Sequence, residues 1–442
     1  MTVSSLLTRN RATLKLLFVG ILSMVMLIPL AMVNEIISDR QQMQRAAEAT
    51  IANRWGGSQS IGGLVVLTHE PVTQTDNRSL ETHYRWRARV LSESAISANL
   101  ITETRYLGIY EVPVYTAQVK VSGRIDLESL DALTPDGDIL LWLPLGDVRG
   151  VREVSPLQIG NLEIPAKPLS VTANHNTGLQ FTVPAAQRGQ LKADYSLDMK
   201  LAGSHSLLFL PLADTTRASL ESDWPHPEFI GQFLPIDRTI EASGVSATWQ
   251  LLGLNRPFGD QWDMSEMSTQ QLNSAGFGMR LETPVDRFQR SERSIKYGFL
   301  FIALTFFTLF LFEVMTGRPL HPVPYILTGA ALAVFYLVLL ALSEYLSYPV
   351  AFMVAASLLV LIVTPYTGVV LGGRRRGVLI GLMMSTTYAL LYVLVSSQHL
   401  SLLLGSLALL MAIAGLMFLT RHVDWYDYGG GEDGGGPDRP DS

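Results

Sequence analysis

The densest set of side chains able to do chemistry is Ser222-Asp223-Trp224-Pro225-His226-Pro227-Glu228-Phe229. Asp223, His226 and Glu228 are of the types that bind a metal or move a proton, so a hydrolase or metal site is one reading of the run. Its two prolines favour another, an extended corner with Trp224 and Phe229 in a core and the polar groups closing it. The other histidines of the same region, His69, His83, His175 and His205, show no ligand spacing among themselves, so the corner is preferred. The chain has no P-loop, HExxH, GxSxG or strand-borne GxGxxG pattern. With no cysteine there is no thiolate nucleophile, sulfur-held metal or disulfide. No enzyme, metal or cofactor is therefore expected.

Glu313 and Glu344 form the second candidate set, because ionisable groups at membrane depth are costly and functional by default. They fall near opposite ends of two apolar runs, where snorkelling or head-group water is expected to satisfy them. Two acids so placed do not make a proton relay. No charged residue falls in the middle of an apolar segment, which weighs against an ion-coupled transporter; a transporter or lipid-handling role for the apolar half stays open as an alternative.

These residues must be positioned by two kinds of element. Only 16% of the 442 residues are charged, and the apolar ones concentrate near the N-terminus and after residue 297. Leu16 to Val33 follows Arg9, Arg11 and Lys15 and has no suitable cleavage site after it, as in a retained signal anchor. Tyr297 to Met315 and Tyr325 to Leu342, joined by a turn at Thr316 to Pro322, read as a transmembrane hairpin. Pro349 to Leu371, Gly377 to Val395 and Leu402 to Thr420 complete six spanning helices. Gly377 and Gly381 form a GxxxG pattern read as packing within the bundle, Pro365 a kink, and Ser385, Thr386 and Thr387 hydroxyls that bond back to their own helix.

Arg318, Arg374-Arg375-Arg376 and Arg421 fall in loops on one side. Ser343 to Tyr348 and Ser396 to Ser401, on the other, hold no Lys or Arg. Basic loops stay inside, so both termini are expected in the cytoplasm and residues 34–296 in the periplasm of a bacterial inner membrane. Lys296 and Glu344 are expected to meet at the outer surface.

Between the anchor and the hairpin, Asn34 to Arg54 is expected to be a stalk helix ended by Trp55-Gly56-Gly57. From Ile61 the periodicity changes to two. Thr82 to Leu91, Leu107 to Val121, Ile139 to Leu143, Asp147 to Val154 and Leu169 to Ala173 read as strands. So do Leu179 to Val183, Gln190 to Leu201, Ser206 to Pro211, Ala218 to Asp223, Ser246 to Leu254 and Gly276 to Glu282; one helix is expected at Leu127 to Leu133. The fold expected is a sandwich-like, mainly antiparallel β-rich domain (34–296) between a first helix (1–33) and a five-helix bundle (297–421). A Gly- and Asp-rich cytoplasmic tail (422–442), expected to be disordered, follows. Residues 34–296 carry 24 basic against 31 acidic residues, a balance that excludes a nucleic-acid partner.

Several segments taken together resemble the CreD (Cet) family of bacterial inner-membrane proteins. They are Leu107-Gly108-Ile109-Tyr110, Gly146-Asp147-Val148-Arg149-Gly150, Trp224-Pro225-His226-Pro227 with Phe233-Leu234-Pro235, and Lys296-Tyr297 with Phe312-Glu313. Leu320-His321-Pro322 with Tyr325, Leu340 to Glu344, and Thr420-Arg421 with Asp424-Trp425-Tyr426 follow in the same order. His321, Asp424 and Trp425 enter as candidates on this resemblance alone. The Gly-rich tail after Tyr428 departs from the charged tail of the family. The resemblance implies a CreBC-regulated protein of envelope integrity and colicin tolerance without fixing its biochemical activity; the expectation of a non-enzymatic role comes from the missing catalytic motifs. Its expected partners are the lipid bilayer and envelope proteins or peptidoglycan, with no oligomeric state implied.

Overall fold

A computed structural model describes residues 11–76, 79–125, 138–171, 176–190, 193–282, 287–316, 320–397 and 401–421. The helix expected at 127–133, Asp424, Trp425 and the tail lie outside these residues. The chain divides into two compact units, Met1–Met43 with Val285–Ser442, and Gln44–Pro284.

The helices are α1 (Arg11–Val25), α2 (Leu27–Trp55), the short α3 (Thr269–Asn273), α4 (Arg287–Thr316), α5 (Pro322–Ser343), α6 (Tyr348–Val370), α7 (Arg374–Ser396) and α8 (Ser401–Thr420). Among the described residues, five stretches are long and apolar enough to cross a membrane: Leu14–Trp55, Arg290–Val314, Pro322–Ser343, Tyr348–Val370 and Arg374–Ser396. The sixth expected span, in α8, has a shorter apolar core at Leu403–Gly415. α5 starts where Pro322 pre-sets the first turn and His321 caps it, Nδ1 accepting from the Val323 N–H at 3.4 Å.

The GxxxG glycines join α6 to α7 within the chain. A Cβ on Gly377 would lie 2.6 Å from Gly368 Cα, and one on Gly381 2.3 Å from Thr364 Oγ1. Small residues here let two backbones touch, which is how apolar helices associate where no hydrophobic effect separates them from lipid. Ser385, Thr386 and Thr387 donate to the carbonyls of Gly381, Leu382 and Met383, four residues back, as their sequence context predicts.

The second unit is a large, mainly antiparallel β domain. A four-stranded sheet contains the strands Gln59–Gly62, Ser206–Leu210, Phe277–Leu281 and Pro227–Gly231, and the other strands form a fourteen-stranded sheet. The 29-residue strand Ser79–Leu107 organises the larger sheet. Its first half pairs with Val65–Asp76, and its second half with Tyr110–Ile125 and, in parallel, Ala213–Ser222. Alternation sends Ile96, Ala98 and Leu100 into a core shared with Val119, Leu197, Leu220, Phe209 and Phe277 from both sheets. Trp249 sits in its aromatic centre, 5.7 Å from Phe277 and 5.9 Å from Phe229.

Several expected strands differ from the sequence reading: Leu107 ends one strand and a turn at Gly108 and Ile109 leads into the next at Tyr110, and Gln190 belongs to a 3-10 turn. Val148–Gly150 is a 3-10 turn because the Asp147 side chain caps it, so the strand begins at Val151. Leu169, Ser170 and Val171 lie outside any strand, since the ladder against Gly178–Val183 covers only Lys167–Pro168. The strands Gln59–Gly62, Val65–Asp76, Leu157–Ile159, Leu162–Ile164, Pro227–Gly231, Asp237–Glu241 and Gln261–Asp263 add to those expected.

Gly377→Val should destabilise the full-length protein by about 1–3 kcal/mol, the usual cost of overpacking. Gly415→Ala, where an added Cβ meets nothing within 4 Å, should be neutral. Thermal scans of both variants in one detergent check this, and equal shifts would remove the α6–α7 contact as the cause.

Candidate functional site

Glu313 lies in the last turn of α4 and its side chain is 1% exposed. Oε1 accepts from Lys15 Nζ of α1 and, at 3.0 Å, from the Leu320 N–H. Oε2 accepts from Tyr325 Oη at 2.9 Å, and Lys15 also donates to the Leu320 carbonyl at 2.8 Å. The expectation that Glu313 is satisfied by snorkelling or head-group water is thus corrected. A carboxylate in a low-dielectric interior needs a charge and hydrogen bonds on its oxygens, and α1, α5 and the chain before α5 supply them. Lys15 was legible only as one of the basic residues before the anchor; nothing in its spacing assigns it to a partner 298 positions away.

Glu344 closes the C-terminal end of α5, and Arg40 Nε of α2 lies 3.1 Å from its Oε1. Lys296, expected opposite Glu344, instead pairs with Glu292 one turn before it at 2.8 Å, and Gln41 reaches the other Glu292 oxygen at 3.3 Å. The i, i+4 spacing on α4 makes Glu292 the nearer acid for Lys296. At this end, too, the N-terminal helices supply the partner.

The Asp223 run is not brought together as a metal or acid–base set. Asp223 Oδ1 accepts from the Thr102 N–H at 2.9 Å and from its hydroxyl at 2.7 Å, tying the run to the long strand. Glu228 pairs with Arg280 at 2.7 Å, and Trp224 Nε1 donates to the Glu282 carbonyl at 3.0 Å. His226 is exposed and uses its backbone carbonyl to accept from Glu282 N–H at 3.2 Å. Among the described residues no group of three or more acids and histidines is placed to hold a metal.

The β domain contains a socket for the end of α2 that the sequence reading did not identify. Gly56 stops the helix with φ +139°, where an added Cβ would strike the Ala202 carbonyl. Asp147 Oδ2 accepts from the Gly57 N–H at 3.1 Å, and Gln59 Nε2 donates to the Asp147 and Ala202 carbonyls at 3.0 and 2.9 Å. Trp55 donates Nε1 to the Tyr115 carbonyl at 3.2 Å, and the guanidinium groups of Arg105 and Arg152 stack on its ring at 4.5 and 5.1 Å. Partial burial raises the Asp147 pKa. The Arg149 guanidinium and the N–H groups of Gly57 and Arg149 outweigh that and hold it below the ordinary carboxylate range.

One face of the larger sheet packs on the core, and the opposite face holds a cleft of about 790 Å³. Asn99, Gln118, Lys120, Asp198, Lys200 and Glu221 line it, side chains of alternate positions on four neighbouring strands. Amide, ammonium and carboxylate groups side by side suit a partner rich in hydrogen-bonding groups.

A sequence model of the family described as "Inner membrane protein CreD" matches residues 11–426. The inner membrane protein CreD of Escherichia coli K12 is 29% identical over 413 residues, which cover 92% of each chain. Among solved structures, an M1 zinc metallopeptidase from Deinococcus radiodurans overlaps 36% of this chain and 38% of its own. At 12% identity and a TM-score of 0.18, that overlap carries no argument.

The lowered pKa of Asp147 sets a sign for pH dependence. A carboxylate more acidic in the folded state stabilises it above the unfolded value of about 3.9, and that contribution is lost as pH falls through the folded value. Asp147→Asn should lower the unfolding temperature at pH 7 by roughly 2–4 °C, as about 1 kcal/mol does in a domain of this size. The gap to the parent should narrow as pH falls below about 4 and close below the lowered folded value. Tryptophan fluorescence checks it, because the six described tryptophans, from Trp55 to Trp262, all lie in this unit. A gap that persists at low pH would contradict it.

Proposed function

Because the chain belongs to the CreD family of inner membrane proteins, we propose that it is a non-enzymatic envelope-integrity protein. In this reading the β domain engages envelope components outside the membrane and the helices anchor it. The observation that carries the reading is the uncovered polar face of the larger sheet, with its cleft between Asn99 and Glu221, on a domain joined at both ends to membrane-spanning helices. A face of hydroxyl, amide and charged groups matches peptidoglycan or an envelope protein better than an apolar ligand.

The charge pattern supports the orientation. Arg374, Arg375 and Arg376 open α7, whereas the α5–α6 turn at Glu344 to Ser347 carries no Lys or Arg. With basic loops inside, the α5–α6 turn and the β domain are outside and both termini are cytoplasmic. The separate pairing of Asp223, Glu228 and His226 favours a binding role for this domain over a hydrolytic one. CreBC control and a part in envelope stress and colicin tolerance belong to the same proposal.

Reporter fusions after Gly373 should be cytoplasmic, and one after Ser347 periplasmic. Photo-crosslinkers placed at Asn99 and Gln118 in living cells should then capture peptidoglycan or an envelope protein. A reversed fusion pattern would reject the orientation, and crosslinks no richer than those from the buried-face neighbour Ala98 would reject the binding face.

A further inference from the structure

The membrane-spanning unit holds a second cleft, of about 700 Å³, along the junction of α6 and α7. The rings of Phe352, Tyr388 and Tyr392 line the part nearest the α5–α6 turn, and Ala356, Ser385 and Ala389 keep it narrow. Leu361, farther along, is 69% exposed, so the cleft opens away from the bundle interior. Phe352 to Leu361 spans about 14 Å of helix, close to the ~15 Å depth of one leaflet. A slot of that length, open toward hydrocarbon, has the dimensions of an alkyl chain.

A cation stands near the end of the slot. Arg290, in the first turn of α4, places its guanidinium 5.7 Å from the centre of the Tyr348 ring. That ring is 6.1 Å from Phe352, which is 5.3 Å from Tyr392, so a short run of aromatic contacts joins the cation to the cleft. Arg290 has no carboxylate within ion-pair reach among the described residues, unlike Arg40, Lys15 and Lys296. An arginine at membrane-surface depth matches a phosphate, to which its planar fork can donate two hydrogen bonds. A second copy packing through its α6, α7 or α8 would fill the cleft but bring no anion to Arg290, since the described parts of these helices contain no acidic residue.

We propose that the α6–α7 cleft binds one glycerophospholipid of the surrounding bilayer, with an acyl chain in the cleft and the head-group phosphate on Arg290. The site is independent of the sheet face assigned to envelope components. It is also independent of membrane orientation, which decides only from which leaflet the lipid comes. Occupancy would wedge a lipid between two helices otherwise joined at Gly368, Gly377 and Gly381.

The full-length protein, reconstituted in phosphatidylethanolamine and phosphatidylglycerol vesicles with a trace of phosphatidylglycerol carrying an acyl-chain diazirine, tests this. After photolysis, label should concentrate at least fivefold on peptides covering Phe352–Leu361 and Ser385–Tyr392 relative to the lipid-facing α1. Ala389→Leu or Ala356→Leu, which fill the slot, should abolish the excess, and Arg290→Gln should lower it several-fold while tryptophan fluorescence reports an intact β domain. Even labelling of all helices, unchanged in the three variants, would mean bulk lipid only and overturn the proposal. Crosslinks between two chains at Ala356 or Ala389 would also overturn it, in favour of a second copy as occupant.

Discussion

The carboxylate of Glu313 imposes the strictest physical condition on the membrane-spanning unit. A charge in a medium of low dielectric constant is tolerated only when a counter-charge and donors surround it, and breaking such a set leaves an uncompensated ion. Here the counter-charge, Lys15, comes from the first helix, while a backbone N–H and a tyrosine hydroxyl come from the chain entering α5 and from α5 itself. Two parts of the sequence far apart along the chain, Lys15 and the stretch from Glu313 to Tyr325, must therefore meet at one point. That meeting ties the N-terminal anchor to the C-terminal bundle more specifically than apolar packing could.

The same logic recurs at the other end of the bundle in a wetter setting. Arg40 and Gln41 of α2 reach Glu344 and Glu292, so the first two helices are held to α4 and α5 at both ends. Exposed pairs of this kind contribute little individually, and their value is in fixing register. The β domain answers a different constraint. With no cysteine it is held by packing, and its aromatic centre around Trp249 and its socket for Trp55 do what a disulfide would do in a smaller domain.

Hydropathy and period-two alternation made the two kinds of unit legible, along with most strand positions. The end of α2 at Trp55, the intrachain role of Gly377 and the back-bonding of Ser385 followed from local chemistry, which needs only neighbouring residues. The partners of Glu313 and Glu344 did not, because Lys15 and Arg40 are separated from them by about three hundred positions and no local pattern encodes such a pairing. Asp147 was visible only as part of a motif. Its cap on a 3-10 turn and its bond to Gly57 depend on strand contacts that alternation does not specify. The Asp223 run holds residue types able to do chemistry, but closeness in sequence along an extended chain sends side chains to different partners, in line with the preferred reading of a structural corner.

A double-mutant cycle on Lys15→Met and Glu313→Gln, with unfolding of the full-length protein followed in detergent, tests the ion pair most directly. Each single change should cost about 3–5 kcal/mol because it breaks a charge pair whose carboxylate is buried. The double variant should recover about 1–3 kcal/mol relative to their sum. Strictly additive losses, or single variants as stable as the parent, would show that the anchor and the bundle are not joined through this pair.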